Sequence, residues 1–198
     1  VDGVYTTDPR IVTKARRLDR VAFEEMLEMA SLGAKVLQVR SVELAMVHGV
    51  RTFVRSSFDD PGAVSGDGPV GTLICDEDEI VEKQIVTGIA YSKDEAQITL
   101  RRVADKPGVA AAVFGPLAAA NINVDMIVQN VSVDGTTTDM TFTVPTADYE
   151  RARRVLEEAS GSIGAALVQG STEVAKVSII GVGMRSHAGV AAEAFAAL

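Results

Sequence analysis

Residues 98–117 return 81 positions later as residues 179–198. Aligned without a gap, the two stretches are identical at seven positions: Ile98/Ile179, Gly108/Gly189, Val109/Val190, Ala110/Ala191, Ala111/Ala192, Phe114/Phe195 and Leu117/Leu198. Each copy reads as an apolar strand, a short polar loop and a helix opened by Gly-Val-Ala-Ala. Chance matching of two Ala-rich helices is the alternative, but it does not explain the shared order of strand, loop and helix. A duplicated unit restricts the second half of the chain to copies of one supersecondary motif.

Around the first copy the periodicities give the rest of that motif. Residues 96–103 alternate as a strand, 108–120 suit a helix with Pro116 inside it, and 124–131 and 137–144 read as strands about Asp134-Gly135. Residues 147–158 carry a second helical pattern, so the order is βαββαβ. The first part of the chain differs. Phe23, Met26, Leu27 and Ala30 follow helical spacing, Ser41 is a candidate N-cap for a helix running to Val47, and residues 50–54 suit a strand. Between the parts, residues 59–71 collect Asp, Pro, Ser and Gly, and 76–79 are four consecutive acids. We place a boundary near residues 60–82.

Composition closes off several classes of function. The 198 residues are 47% hydrophobic with mean hydropathy +0.19, ample for a buried core. No apolar run reaches the roughly 18 to 20 residues of a membrane helix, and no basic-then-apolar leader opens the chain, which predicts a cytoplasmic protein with no membrane partner. Cys75 is the single cysteine and His48 and His187 stand alone, so neither a disulfide nor a metal site is expected. The net charge of −8 is concentrated late: 9 basic and 10 acidic residues up to position 75, then 10 and 17. That surface repels phosphate backbones, and no nucleic-acid partner is expected. Val1 is not Met, and 189–198 read as a helix still in progress, so the sequence is expected to be an internal piece of a longer protein.

Residues 1–10, Val-Asp-Gly-Val-Tyr-Thr-Thr-Asp-Pro-Arg, form on bare chemistry either a structural turn or a loop in which Tyr5 meets a nucleotide and Arg10 its phosphates. Lys35, on the residues alone, reads as a solvated helix-end charge rather than a ligand contact. Asp105-Lys106-Pro107-Gly108 lies between strand and helix. It reads as a helix cap or as an anion site at a helix N-terminus. Asn123, Asp125 and Gln129 alternate and are expected on one face of their strand.

These segments, with Phe-Glu-Glu-Met-Leu-Glu-Met-Ala (23–30), Gly-Ala-Lys-Val-Leu (33–37), Arg-Ser-Val-Glu (40–43), Val-Arg-Ser-Ser-Phe (54–58), Val-Thr-Gly-Ile-Ala (86–90), Asn-Ile-Asn-Val-Asp-Met-Ile-Val-Gln-Asn-Val-Ser (121–132) and Thr-Thr-Asp-Met-Thr-Phe (137–142), resemble successive segments of bacterial aspartate kinases along essentially the whole chain. The resemblance implies the C-terminal part of an amino-acid-kinase α/β domain (1–75), an acidic linker (76–84), a ferredoxin-like βαββαβ ACT module (85–170) and the start of a second, truncated one (171–198). It implies transfer of the ATP γ-phosphoryl group, with Mg²⁺, to the aspartate side-chain carboxylate, in lysine, threonine and methionine biosynthesis. Lysine, threonine or both would be the inhibitory effectors. Asp2, Tyr5, Arg10, Lys35 and Val36 inherit contact with ATP. Asp105, Lys106, Pro107, Gly108, Val109 and Ala110, with Asn123, Asp125 and Gln129, inherit the effector site. Ser186, His187, Ala188, Gly189 and Val190 occupy the matching loop of the repeat, with Ala188 where the family usually carries Pro.

The resemblance also implies homo- or hetero-oligomers paired through ACT modules. The family's glycine-rich phosphate loop and most of its aspartate side lie before Val1, so the piece alone is expected to be inactive. Two other readings are a non-catalytic ACT regulatory subunit, which would not need residues 1–58, and a glutamate or acetylglutamate kinase relative, against which the Asp-Lys-Pro-Gly module and its repeat count.

Overall fold

The computed structural model describes residues 1–59, 70–80, 85–131, 135–164 and 167–198. Much of the expected boundary loop, part of the acidic linker and Asp134 lie outside these residues. The chain forms two compact units, residues 1–91 with 177–198, and residues 92–176.

In the first unit, strand β1 (Arg20–Ala22) leads directly into helix α1 (Phe23–Ser31), followed by α2 (Val39–Val47), β2 (Thr52–Val54) and β3 (Thr72–Cys75). The three strands make one sheet in the order β1-β3-β2, with β1 parallel and β2 antiparallel to β3. Helix α1 forms where the 3–4 spacing predicts it, because Phe23, Met26 and Met29 fall on one face and are buried there with Val21, Val42 and Ile74. Helix α2 corrects the expected start at Ser41. Gln38 is its N-cap, and the Ser41 amide already donates to the Gln38 carbonyl at 3.0 Å. Strand β2 begins two residues later than expected because Val50 closes the helix end, its N–H reaching the Ala45 carbonyl at 2.8 Å after Gly49 turns with φ +60°.

The second unit is built on strand β4 (Gly88–Ala104), helix α3 (Val109–Ala119), β5 (Asp125–Val131), β6 (Thr137–Val144), helix α4 (Tyr149–Ile163) and β7 (Leu167–Ile180). This is the predicted βαββαβ order, and the sheet order β5-β6-β4-β7 is ferredoxin-like. Alternation in β4 and β6 sends Ile98, Leu100, Met140, Phe142 and Val144 to one face. There they are buried under Val113 and Leu117 of α3 and Leu156 of α4. The rings of Phe114 and Phe142 meet edge to face at 5.3 Å. Pro116 lies within α3, which continues beyond it. Strand β4 is longer than residues 96–103. Its register with β6 begins at Ala96↔Val144, and residues 88–95 run on past that end. Strand β7 is continuous across residues 170 and 171, and α5 (Val190–Ala197) follows a 3₁₀ turn at Val182–Arg185.

Both β4 and β5 carry an extra residue. Register shifts fall between Leu100 and Val103 in β4 and between Asp125 and Val128 in β5, at Arg102 (φ +54°) and Met126 (φ +46°).

Candidate nucleotide and effector sites

Residues 4–6 and 16–18 pair as a small ladder. Thr6 N–H donates to the Arg16 carbonyl at 2.9 Å and Leu18 N–H to the Val4 carbonyl at 2.8 Å. Buried Thr72 of β3 ties the two strands together, its hydroxyl donating to the Leu18 carbonyl (2.6 Å) and accepting from the Val4 amide (2.8 Å). On this frame the Tyr5 hydroxyl donates to both Asp2 carboxylate oxygens, at 3.1 and 3.2 Å. Burial and the adjacent Asp2 raise the Tyr5 pKa, so the ring presents a neutral hydroxyl. The structure thus brings Asp2 and Tyr5 together. Arg10 is already engaged: its guanidinium forks onto Asp8 at 3.0 and 2.7 Å, and the Asp8 carboxylate also accepts the Arg10 amide at 2.9 Å. The Arg10–Asp8 pair was missed by sequence reasoning, and the hydrogen bonds from Arg10 hold Asp8 below the usual carboxylate range. A phosphate reaching Arg10 must compete with it.

Lys35 and Val36 hang on the C-terminal end of α1. The Ala34 amide donates to the Met29 carbonyl and the Val36 amide to the Ala34 carbonyl, both at 2.9 Å. Lys35 is exposed and makes no ion pair among the described residues.

The loop 105–110 corrects the capping alternative. Asp105 does not cap α3. The N-cap is Gly108 in the left-handed region, φ +89°, with no side-chain bond to the helix end. The Asp105 amide is held by the Thr136 carbonyl at 3.0 Å, while Asp105, Lys106, Pro107 and Gly108 are exposed, Val109 is buried and Ala110 exposed. In the repeat, Gly189 is the N-cap of α5 with φ +102°, and its carbonyl accepts the Glu193 amide at 3.0 Å as that of Gly108 accepts Ala112 at 3.0 Å. The duplication read from sequence is therefore repeated in the backbone of both loops. At neither glycine would a Cβ meet an atom within 4 Å, so positive φ, not a close approach, is what requires glycine. His187 is held by its own loop, Nδ1 lying 2.9 Å from the Gly183 carbonyl and 3.2 Å from the Ser186 hydroxyl. Ala188 is exposed and Val190 half-buried.

The expectation that Asn123, Asp125 and Gln129 share one strand face fails. Asn123 precedes β5, and the bulge at Met126 changes the phase. Asp125 pairs opposite Thr143, whereas Gln129 pairs opposite the core residue Met140. Asp125 is committed to Lys176, 2.5 Å away, and to the Met126 amide at 2.8 Å, which lower its pKa. Lys176, only 11% exposed, also meets Glu95 at 3.1 Å. Burial acts to lower its pKa, but the two carboxylates outweigh burial and raise it.

A polar cavity of about 700 Å³ lies on the sheet face opposite the helices, lined by Gln97, Thr99, Arg101, Asn130, Asp139 and Thr141 among others. The alternation of Gln97, Thr99 and Arg101 with Ile98 and Leu100 was its sequence signal. Its groups satisfy one another: Thr99 and Thr141 hydroxyls bond at 3.0 Å, and Asp139 accepts Arg101 (2.7 Å) and the bulged Arg102 amide (2.9 Å).

Among the described residues no group of three His, Cys, Asp or Glu side chains could hold a metal, and no helix is long and apolar enough to cross a membrane.

Residues 1–56 match the amino acid kinase family and residues 101–159 match the ACT domain. Over its full length the chain is 58% identical to an aspartate kinase of Pseudomonas putida, of which it covers 46%. The chain thus spans about half the length of the curated relatives it matches. Among solved structures, a chain from the crystal structure of aspartokinase alpha and beta subunits is 53% identical, with TM-score 0.51, over 56% of this chain and 72% of that one. Aspartokinase III of E. coli superimposes with TM-scores of 0.76 in complex with aspartate and ADP (30% identity, 99% of this chain, 42% of that one) and 0.73 in complex with lysine and aspartate (32% identity, 100% of this chain, 42% of that one). With an amino acid kinase match and an ACT domain match joined in one polypeptide, and with this likeness over its whole length, the chain belongs to the aspartate kinase family.

Proposed function

We propose that the chain is the part of an aspartate kinase that completes the ATP site and senses a product amino acid, divided as kinase end (1–75), linker (76–84), first ACT module (85–170) and start of a second (171–198). The observation that carries this reading is the presence in one chain of both matched regions, at 58% identity over its whole length to a named aspartate kinase. The complete protein would transfer the ATP γ-phosphoryl group to the side-chain carboxylate of aspartate in a cytoplasmic biosynthetic step. Such a transfer needs positioning and cations over the charge that spreads on the phosphoryl oxygens. Lys35 supplies an ammonium with no ion pair among the described residues, Arg10 a guanidinium once Asp8 yields, and Asp2 with Tyr5 a polar edge for the nucleoside. Mg²⁺ would arrive with the phosphates of ATP. The loops at 105–110 and 186–190 would take lysine, threonine or both, through the N–H groups of a helix start for the ligand's carboxylate and, at 105–110, the exposed Asp105 carboxylate for its ammonium. The 198 residues alone, short of the remaining length of their relatives, are expected to form no aspartyl phosphate.

Lys35→Ala tests the nucleotide assignment. Losing one charge-assisted hydrogen bond to phosphate should weaken ATP binding in the full-length enzyme by about 1.5–3 kcal/mol, roughly ten- to a hundredfold. ATP kinetics indistinguishable from wild type in a folded variant would return Lys35 to an ordinary surface charge.

A regulatory-subunit reading is favoured by one observation, the 41% identity to the regulatory subunit of aspartate kinase from Thermus thermophilus over 58% of this chain and 74% of that one. Residues 1–56, which match the kinase family, weigh against it as a complete account.

A further inference from the structure

Glu25 is an acid at the third position of α1, 6% exposed, and it meets three donors from three separate segments. Its Oε1 accepts the Thr87 hydroxyl at 2.6 Å and the Val182 amide at 3.0 Å, while Oε2 takes a longer bond from the Ala22 amide at 3.4 Å. Ala22 has no side-chain oxygen to return a bond, so this is half of a capping box. The other two bonds go where helix capping does not. Thr87 is the residue before β4, and Val182 lies two residues after β7, so one carboxylate ties α1 to both strands at their roots.

The segments it gathers are packed backbone to backbone. Thr87 N–H donates to the Ile180 carbonyl at 2.8 Å. A Cβ on Gly181 would collide with the Ile85 carbonyl oxygen and lie 2.9 Å from Val86 Cα and 3.0 Å from Thr87 N. A Cβ on Gly88 would lie 3.1 Å from the Thr6 carbonyl oxygen and would displace the Met29 methyl, the movable end of a side chain of α1. Such a junction has no slack: a shift of residues 85–88 or 180–182 must move α1 or break bonds to a buried carboxylate.

From this junction two short routes lead to the nucleotide segments, both inside the same unit. Helix α1 carries the Lys35-Val36 loop at its far end through the Ala34 amide on the Met29 carbonyl. Ile89, the second residue of β4, donates its N–H to the Thr6 carbonyl at 2.8 Å, between Tyr5 and Arg10. Strand β4 itself continues without interruption to Ala104, next to Asp105.

We infer that Glu25 is a positioning residue that pins the roots of β4 and β7 to α1, so that a displacement of either strand by an amino acid bound at the sensing loops reaches Lys35 as a displacement of α1. The inference deepens the proposed function and rests on it for the identity of the two ends. The pin itself is a property of the fold.

Two variants test it, Glu25→Gln, which leaves one acceptor oxygen for three donors, and Thr87→Val, which removes a single hydroxyl and keeps the Thr87 amide bond. On the 198-residue chain, hydrogen exchange should show the Ala34 amide, which touches neither substitution, exchanging about tenfold faster in both variants, with amides of β6 unchanged. Unchanged exchange at Ala34, or equal acceleration everywhere including β6, would overturn the pin. In the full-length enzyme, both variants should keep uninhibited kcat within about twofold but require about tenfold more lysine or threonine for half-inhibition, while calorimetry finds the same effector still bound. Wild-type inhibition curves in folded variants would also overturn it. Should the wild-type enzyme make no aspartyl phosphate, the proposed function falls and the exchange experiment still decides the pin.

Discussion

Gly108 and Gly181 are required for opposite reasons, and the difference can be measured. Gly108 sits at φ +89° with open space where a Cβ would go, so Gly108→Ala adds only left-handed backbone strain, about 1–2 kcal/mol. Gly181 is extended, φ 169°, a conformation any residue adopts, but its Cβ would enter three backbone atoms that cannot rotate away. Gly181→Ala should therefore cost more, at or above the top of the about 1–3 kcal/mol range for overpacking. Urea denaturation of the two variants checks the order, and a larger loss for Gly108→Ala would contradict this account of the junction. Glycines were visible in the sequence, yet their reasons were not: positive φ requires Gly108, and close approach requires Gly181. The partners of charged groups were equally hidden. Arg10 with Asp8 is a local pair that spacing could have suggested, whereas Lys176 joins Asp125, 51 positions away, and Glu95, 81 positions away.

At the scale of elements, β4, β5 and β6 hold together through carboxylates as well as through their ladders. Asp139 fixes the β4 bulge by accepting the Arg102 amide, and that bond first, then Arg101, lowers its pKa. Asp125 is lowered by Lys176 and then by its own Met126 amide. A carboxylate with a depressed folded pKa contributes stability that is present above its unfolded value and is lost as pH falls through the folded one. Both contributions should therefore be intact above pH 3.8, the ordinary value, and disappear progressively below it. The Lys176 contribution, with its raised pKa, is present below 10.5 and lost only above it. Melting temperature against pH for wild type, Asp125→Asn and Asp139→Asn checks the sign. The wild-type advantage should shrink in acid, and an advantage growing below pH 3.8 would contradict the assignment. The same two bulges mark where the sequence was silent. Period-2 alternation located β4, β5 and β6 of the βαββαβ motif, but gave no bounds for β7. An inserted residue at Arg102 or Met126 leaves no compositional trace, since neither is the glycine or asparagine that left-handed backbone usually signals. Residues 88–95 were missed in β4 because Ser92-Lys93-Asp94-Glu95 lacks apolar alternation, and the strand there extends past the end of β6.

For the molecule as a whole, the duplication constrained most. It predicted two loops of one design, and both have a left-handed glycine cap followed by a helix. It did not predict that the equivalent of the end of β4 becomes a 3₁₀ turn after β7, or that β7 serves both compact units. The central claim is that a kinase acting on aspartate is read out by an amino acid at the 105–110 loop, where Asp105 is exposed, unpaired among the described residues and free of any capping role. Because capping is not its function, Asp105→Ala should leave folding and basal turnover intact and remove only the ligand's ammonium partner. Effectors act through differential affinity for two conformations, so lost binding must appear as lost inhibition. The most direct measurement is ATP-dependent formation of aspartyl phosphate by the full-length protein, wild type and Asp105→Ala, titrated with lysine, threonine and their mixture. The account predicts turnover in both, inhibition of the wild type, and a shift of the variant's curve to about tenfold or more higher effector, in line with the loss of one charged hydrogen bond. No aspartyl phosphate from the wild type, or superimposable inhibition curves for the two proteins, would contradict it.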